Sequence, residues 1–246
     1  REAPNRHGIG VAWSDSPEGP WEFSDQPLVV GDSFRHIDPM IFRDDDGTRY
    51  MYWGSAHGPI LVQELSADGL SLVGEPRPVL HPAQGLPYQG LIEAPWVIKR
   101  EGYYYLFYSG NSPGEYAISV ARSESPLGPF YRNPRNPIVE GNEYFRAPGH
   151  NAIVQDDAGQ DWILYHAYDR YRYGVGRHLM LDKIEWVDGW PVVNGGLGPS
   201  WTEQWDGPVF RSVVPEGTDR PGAETLRSAD DGLRADKDGS VVSETP

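Results

Sequence analysis

Glu93-Ala94-Pro95-Trp96-Val97-Ile98, followed by a turn ending at Gly102 and then by Tyr103-Tyr104-Tyr105-Leu106-Phe107, is one of three copies of a pattern in this 246-residue chain. The first copy is Ile37-Asp38-Pro39-Met40-Ile41-Phe42, leading to Gly47 and Tyr50-Met51-Tyr52-Trp53. The third is His150-Asn151-Ala152-Ile153-Val154, leading to Gly159 and Trp162-Ile163-Leu164-Tyr165. Each reads as an extended run, a polar turn and an aromatic strand, with glycine supplying the positive φ that a hairpin turn requires. The turn glycines are 55 and 57 residues apart. A second repeat lies between them: Ser14-Asp15-Ser16-Pro17-Glu18-Gly19-Pro20-Trp21 returns as Ser123-Glu124-Ser125-Pro126-Leu127-Gly128-Pro129-Phe130. This polar turn joins the last two strands of a unit. A repeat of roughly fifty residues carrying about four short strands predicts the blade of a β-propeller.

Working outward, residues 1–30 are expected to supply the outer strands of one blade. Three whole blades follow at about 36–90, 91–145 and 146–200, making about three and a half in all. The fold class is therefore all-β, with a propeller domain over 1–210. From Arg211 onward there is no aromatic residue, and Ser, Gly, Asp and Arg dominate. Residues 211–246 are expected to form a loosely ordered polar tail. Composition agrees: 29 Gly and 23 Pro supply the turn chemistry of many short strands, and 12% of the chain is aromatic.

The formal net charge of −15 argues against a phosphate-backbone partner, so nucleic acid is excluded as the expected ligand. Abundant Trp and Tyr beside acidic residues suit a neutral carbohydrate. No apolar run reaches membrane-spanning length, and the absence of Cys removes disulfides and thiolate metal sites. The chain starts at Arg1 without an initiator Met, so the lack of a visible leader says nothing about compartment.

Nine residues before Gly47 stands Asp38, nine before Gly102 stands Glu93, and nine before Gly159 stands His150. The same phase on the first strand of successive blades means the same height near the propeller axis. Three ionisable groups are thus expected to converge on one pocket. Burial there would shift their pKa values, as acid–base catalysis requires. Paired carboxylates among aromatics point to glycoside hydrolysis, one protonating the leaving oxygen while another activates water or attacks the sugar.

At these residues the sequence resembles glycoside hydrolase family 43, the arabinanase, arabinofuranosidase and β-xylosidase group. The matching stretches are Ile37-Asp38-Pro39 with Asp44-Asp45-Asp46-Gly47, Glu93-Ala94-Pro95, Pro148-Gly149-His150-Asn151, Tyr165-His166-Ala167-Tyr168-Asp169 and Asp188-Gly189-Trp190-Pro191-Val192-Val193. The resemblance implies a five-bladed propeller and an inverting hydrolase of arabinose- or xylose-containing plant saccharides. It assigns Glu93 as general acid and Asp38 as the aspartate that orients this acid and modulates its pKa. It places a structural calcium or other ion beside His150, with no organic cofactor, and a substrate-binding role on Arg177. Trp53, Trp96 and Phe145 are candidate sugar platforms, with His166 and Tyr168 supporting the pocket wall. An extracellular or periplasmic site of action is favoured over the cytoplasm.

The family's general base is an Asp on the first strand of the first blade, far upstream of the position of Asp38. Only 37 residues precede Asp38 here. Asp15 lies in a turn and Asp32 lies too close to Asp38, so the base is expected to be absent from this chain. Either the sequence is a fragment, or another chain or segment supplies the base, or the protein is a non-catalytic carbohydrate-binding propeller.

Overall fold

The computed structural model describes residues 7–54, 56–172, 174–201 and 207–210, with two short strands further on. The chain divides into two compact units, Arg1–Phe210 and Arg211–Pro246. In the first unit, β1 (His7–Ile9) pairs with β4 (Val29–Gly31) and β2 (Ala12–Trp13) with β3 (Glu22–Phe23). Three four-stranded antiparallel meanders follow. They are β5 (Met40–Arg43), β6 (Arg49–Trp53), β7 (Ile60–Leu65) and β8 (Leu72–Leu80); β9 (Ile92–Arg100), β10 (Tyr103–Gly110), β11 (Ala117–Ser123) and β12 (Tyr131–Arg132); and β13 (Phe145–Gln155), β14 (Asp161–Asp169), β15 (Arg177–Val187) and β16 (Trp190–Val193). Each strand pairs only with its neighbours in sequence, which is the connectivity of a propeller blade. The β1–β4 ribbon supplies two outer strands ahead of the first whole blade.

The inner hairpins follow the turn chemistry of their glycines. Asp44 N–H donates to Thr48 O at 2.8 Å and Gly47 N–H to Asp44 O at 2.9 Å, while Asp156, Gly159 and Gln160 repeat the arrangement. Gly47 and Gly159 take φ of 90° and 82°. The middle hairpin is tighter. Arg100 pairs with Tyr103 across Glu101-Gly102, both at positive φ, as a two-residue turn demands. A bulge in β9 between Trp96 and Glu93 inserts one residue opposite the Phe107–Ser109 step. That extra residue offsets the shorter turn and keeps Glu93 at the height of Asp38 and His150.

The Tyr-rich strand β10 is apolar on both faces because a blade packs against each. Tyr105 and Phe107 join Ile118, Ile153, Ile163 and Tyr165 in the core between the second and third blades. Tyr104, Leu106 and Tyr108 alternate to the other face and meet Tyr52, Val62, Ile92 and Phe130. Buried side chains of this size each contribute about 2–3 kcal/mol. Polar clamps join the turn ends of the blades. Asp44 accepts from Lys99 Nζ at 2.6 Å and Tyr104 Oη at 2.5 Å. Asp161 accepts from Arg100 Nη1 at 3.1 Å and Trp186 Nε1 at 2.8 Å.

Two expected sugar platforms prove to be core residues. Trp53, 2% exposed, packs with Ile9, Met51 and Leu65. Phe145, 8% exposed, belongs to the cluster between the second and third blades and lies 5.7 Å from the Trp201 ring. Both are on strand faces covered by neighbouring elements, so neither has an open ring face. Trp96 is half-buried against the same cluster.

In the second unit, β17 (Arg234–Ala235) pairs with β18 (Val241–Val242). The expected loosely ordered tail otherwise lies outside the described residues.

Candidate active site

At the start of each inner strand the backbone leaves the ordinary β region. Asp38 has φ 56°, Ala94 next to Glu93 has φ 54°, and His150 has φ 49°. Such conformations at non-glycine residues cost roughly 1–3 kcal/mol each and persist where surrounding structure imposes them. Here they coincide with irregular pairing: β9 is bulged at Glu93, and β13 loses register between Gly149 and Ala152.

The groups so placed act on one another. The Asp38 carboxylate accepts the Ala94 N–H and lies in the field of His150. Its pKa is raised because burial outweighs both of those opposing influences. Glu93, 9% exposed, is pushed up to about 7, first by burial and second by the Asp38 charge; Arg177 and the Ala56 N–H oppose the rise. His166 is pushed down to about 4 by burial and then by Arg177 and His150. Asp38, Glu93, His150, His166 and Arg177 therefore come together from all three whole blades. Trp53, Trp96 and Phe145 are not part of that assembly.

Several supporting groups were not singled out by sequence reasoning. Ser109, fully buried and paired with Glu93 across the hairpin, accepts the His150 N–H at 2.7 Å. One serine thus links the inner strands of two blades. The Ala56 N–H reaches Glu93 from the β6–β7 loop, which also holds β9 through Ala56 O and the Ile92 N–H at 3.2 Å. Tyr116 packs directly on Gly149, where a Cβ would come within 2.6 Å of its ring, so Gly149 cannot be replaced without displacing it. The Tyr116 and His166 rings are 5.8 Å apart. Only the Pro-Gly-His-Asn run hinted at such close packing. Arg177 Nε donates to Tyr168 Oη at 3.1 Å, which orients the guanidinium.

The acid–base content of this centre is a buried carboxyl, Glu93, with its pKa pushed up to about 7 beside a second carboxylate. That pairing suits protonation of a leaving oxygen. The expected ion beside His150 fits less well. Among the described residues no three His, Cys, Asp or Glu side chains form a metal-binding group. A hard cation such as calcium takes six to eight oxygen ligands, and the Arg177 guanidinium adds repulsion.

The family model for glycosyl hydrolases family 43 matches residues 1–191. A xylan 1,3-β-xylosidase of Vibrio sp is 33% identical over 219 residues, covering 77% of this chain and 39% of that protein. A xylosidase/arabinosidase of Butyrivibrio fibrisolvens is 34% identical over 226 residues, covering 83% and 42%. The chain thus spans less than half the length of these curated relatives. The crystal structure of a thermostable family-43 glycoside hydrolase superposes with a TM-score of 0.70 at 33% identity, covering 82% of this chain and 70% of that one. The fold is that of the five-bladed propeller, of which the described residues provide three whole blades and two outer strands. With the blade repeat, the inner-strand carboxylates and the match over residues 1–191 in agreement, the chain belongs to glycosyl hydrolases family 43.

Proposed function

We propose that this chain carries the acid half of an inverting glycosidase site for arabinose- or xylose-containing plant saccharides. Glu93 is the general acid, burial and then the Asp38 charge keep it protonated, and Arg177 binds the sugar beside it. The observation that carries this reading is the Glu93 carboxyl, buried next to Asp38 with its pKa pushed up to about 7. An ordinary glutamate would be ionised at neutral pH and could not donate. Relatives named xylosidase and xylosidase/arabinosidase support the sugar class. Two buried polar groups, His166 Nε2 and the Asn151 amide, lack hydrogen-bond partners among the described residues, and sugar hydroxyls would satisfy them.

Among the described residues, the charges that act on this pair are Asp38 and Arg177 on Glu93 and His150 on Asp38. The water-activating base is therefore assigned to a blade contributed by another segment or chain. An extracellular or periplasmic site of action follows from a polymeric substrate.

The test is hydrolysis of nitrophenyl α-L-arabinofuranoside, nitrophenyl β-D-xyloside and debranched arabinan by the chain together with the segment or partner that supplies the base, and by the same assembly carrying Glu93→Gln. Loss of the acid is expected to lower the rate about 10²–10⁴-fold. Sugar binding without turnover even when the base-bearing blade is present supports the non-catalytic alternative. Turnover unaffected by the substitution refutes the role of Glu93.

A further inference from the structure

A cavity of about 570 Å³ opens between the second and third whole blades. Its walls include Tyr88, Asn111, Glu115, Tyr116, Arg146 and Arg170. These come from the segment before β9, the β10–β11 loop, the start of β13 and the β14–β15 loop. In an antiparallel meander, the start of the first strand and the connection from second to third strand lie at the same end. The cavity therefore opens on the face where Glu93 and His150 begin their strands. Tyr168 links the two places. Arg146 lies 4.5 Å from its ring centroid and Arg177 5.6 Å from it, while the Tyr168 hydroxyl holds Arg177.

The charge of this cavity runs against that of the chain. Acidic residues outnumber basic ones 36 to 21. Among the described residues neither Arg146 nor Arg170 forms an ion pair, a state they share with Arg122 and Arg132, and Arg146 and Arg170 both face the cavity. Both guanidinium groups are held in place by neutral groups. Arg170 Nε donates to Asn142 O at 2.6 Å and Phe145 O at 3.2 Å. Arg146 Nη1 donates to Gly114 O at 3.3 Å. The carboxylate of the lining, Glu115, is exposed and accepts a long bond of 3.4 Å from Asn111 Nδ2. Two fixed, unpaired forks over a cavity edged by Tyr88, Tyr116 and Asn111 form a receptor for a planar anion that also carries hydroxyl groups.

We propose that this cavity is a subsite for a carboxylate-bearing sugar, a uronic acid residue attached to the neutral saccharide whose terminal bond lies at Glu93. The proposal rests on the glycosidase reading above and narrows its substrate class to acidic, branched oligosaccharides. Arg146 and Arg170 bind the carboxylate, and the tyrosines and Asn111 meet the ring hydroxyls.

Calorimetry on the full 246-residue chain tests this with three ligands: a xylo-oligosaccharide bearing a glucuronic acid side group, the same oligosaccharide without it, and free glucuronate. The substituted ligand is expected to bind about tenfold more tightly than its neutral parent at low salt, with the advantage shrinking as salt is added. Arg146→Gln, which gives up one carbonyl bond and a ring contact, is expected to remove most of that advantage and leave neutral-sugar binding unchanged. Arg170→Gln is the second variant, with thermal melting to confirm folding, since Arg170 also anchors the turn before β13. Equal binding of the two oligosaccharides overturns the proposal, as does a preference that survives both substitutions. Free glucuronate binding as tightly as the substituted oligosaccharide overturns it too, since the site would then be a general anion site. Failure of the catalytic reading shows separately, as neutral-substrate turnover indifferent to Glu93→Gln.

Discussion

Replacing Asp38 by Asn removes a charge from beside the acid while preserving its shape and an oxygen able to accept the Ala94 N–H. Glu93 is lifted to about 7 by burial in the first place and by Asp38 in the second, against the pull of Arg177 and the Ala56 N–H. Removing the second contribution leaves the first, so the Glu93 pKa is expected to fall by roughly one pH unit yet stay above an ordinary glutamate. The sign is specific. A general acid must be protonated, so kcat/KM falls as pH rises through the pKa of Glu93, near 7 in the native protein. In Asp38→Asn that alkaline limb moves to lower pH, and activity at neutral pH drops with it. Arg177→Met acts oppositely: loss of the nearby cation lets the pKa rise, and the limb moves to higher pH. The measurement is the pH profile of kcat/KM on an activated aryl glycoside for the three proteins. A ¹³C NMR titration of the Glu93 carboxyl reads the same quantity without turnover. A limb that stays in place, or moves upward, in Asp38→Asn refutes electrostatic coupling between the two carboxylates as the origin of the poised acid.

Two further outcomes follow from the same structure. His166, pushed down to about 4, is expected to stay neutral from pH 8 to pH 5 and to take up its proton only below that range, so its ring ¹H and ¹⁵N shifts should be flat there; a midpoint near 6.5 contradicts its placement beside Arg177 and His150. Asp161→Ala leaves Arg100, Trp186 and Gln155 without their shared acceptor at the join between the second and third whole blades. The loss is expected to be about 3 kcal/mol, a fall in Tm of roughly 6–12 °C, with partial recovery in Asp161→Asn; a change under 1 °C contradicts the clamp.

The blades were legible in the sequence because a hairpin is a local object. Its turn glycine, two-residue alternation and aromatic return strand fall within about twenty residues, and their recurrence exposes the repeat. The phase of Asp38, Glu93 and His150 was legible for the same reason, even though the middle turn is one residue shorter. The β9 bulge restores that phase, and it has no sequence mark apart from the constant count itself. The aromatic platforms were not legible. Trp53 and Phe145 carry the residue type that stacks on sugars, but a ring becomes a platform or a core residue according to which sheet covers it. For Trp53 the covering includes Ile9, some forty residues away.

The sequence by itself determined the blade repeat, the hairpin turns and the height at which the ionisable groups enter the centre. The tertiary structure alone decided how they differ chemically. Glu93 holds its proton to about 7 while His166 refuses one until about 4, because blades far apart in the chain bury both and set Asp38 beside the first and Arg177 beside the second. Among the described residues, the same packing leaves Arg146 and Arg170 without an ion-pair partner over the neighbouring cavity. Desolvation and Coulomb interaction depend on distance in space, and nothing in residue order encodes that distance until the sheets have packed.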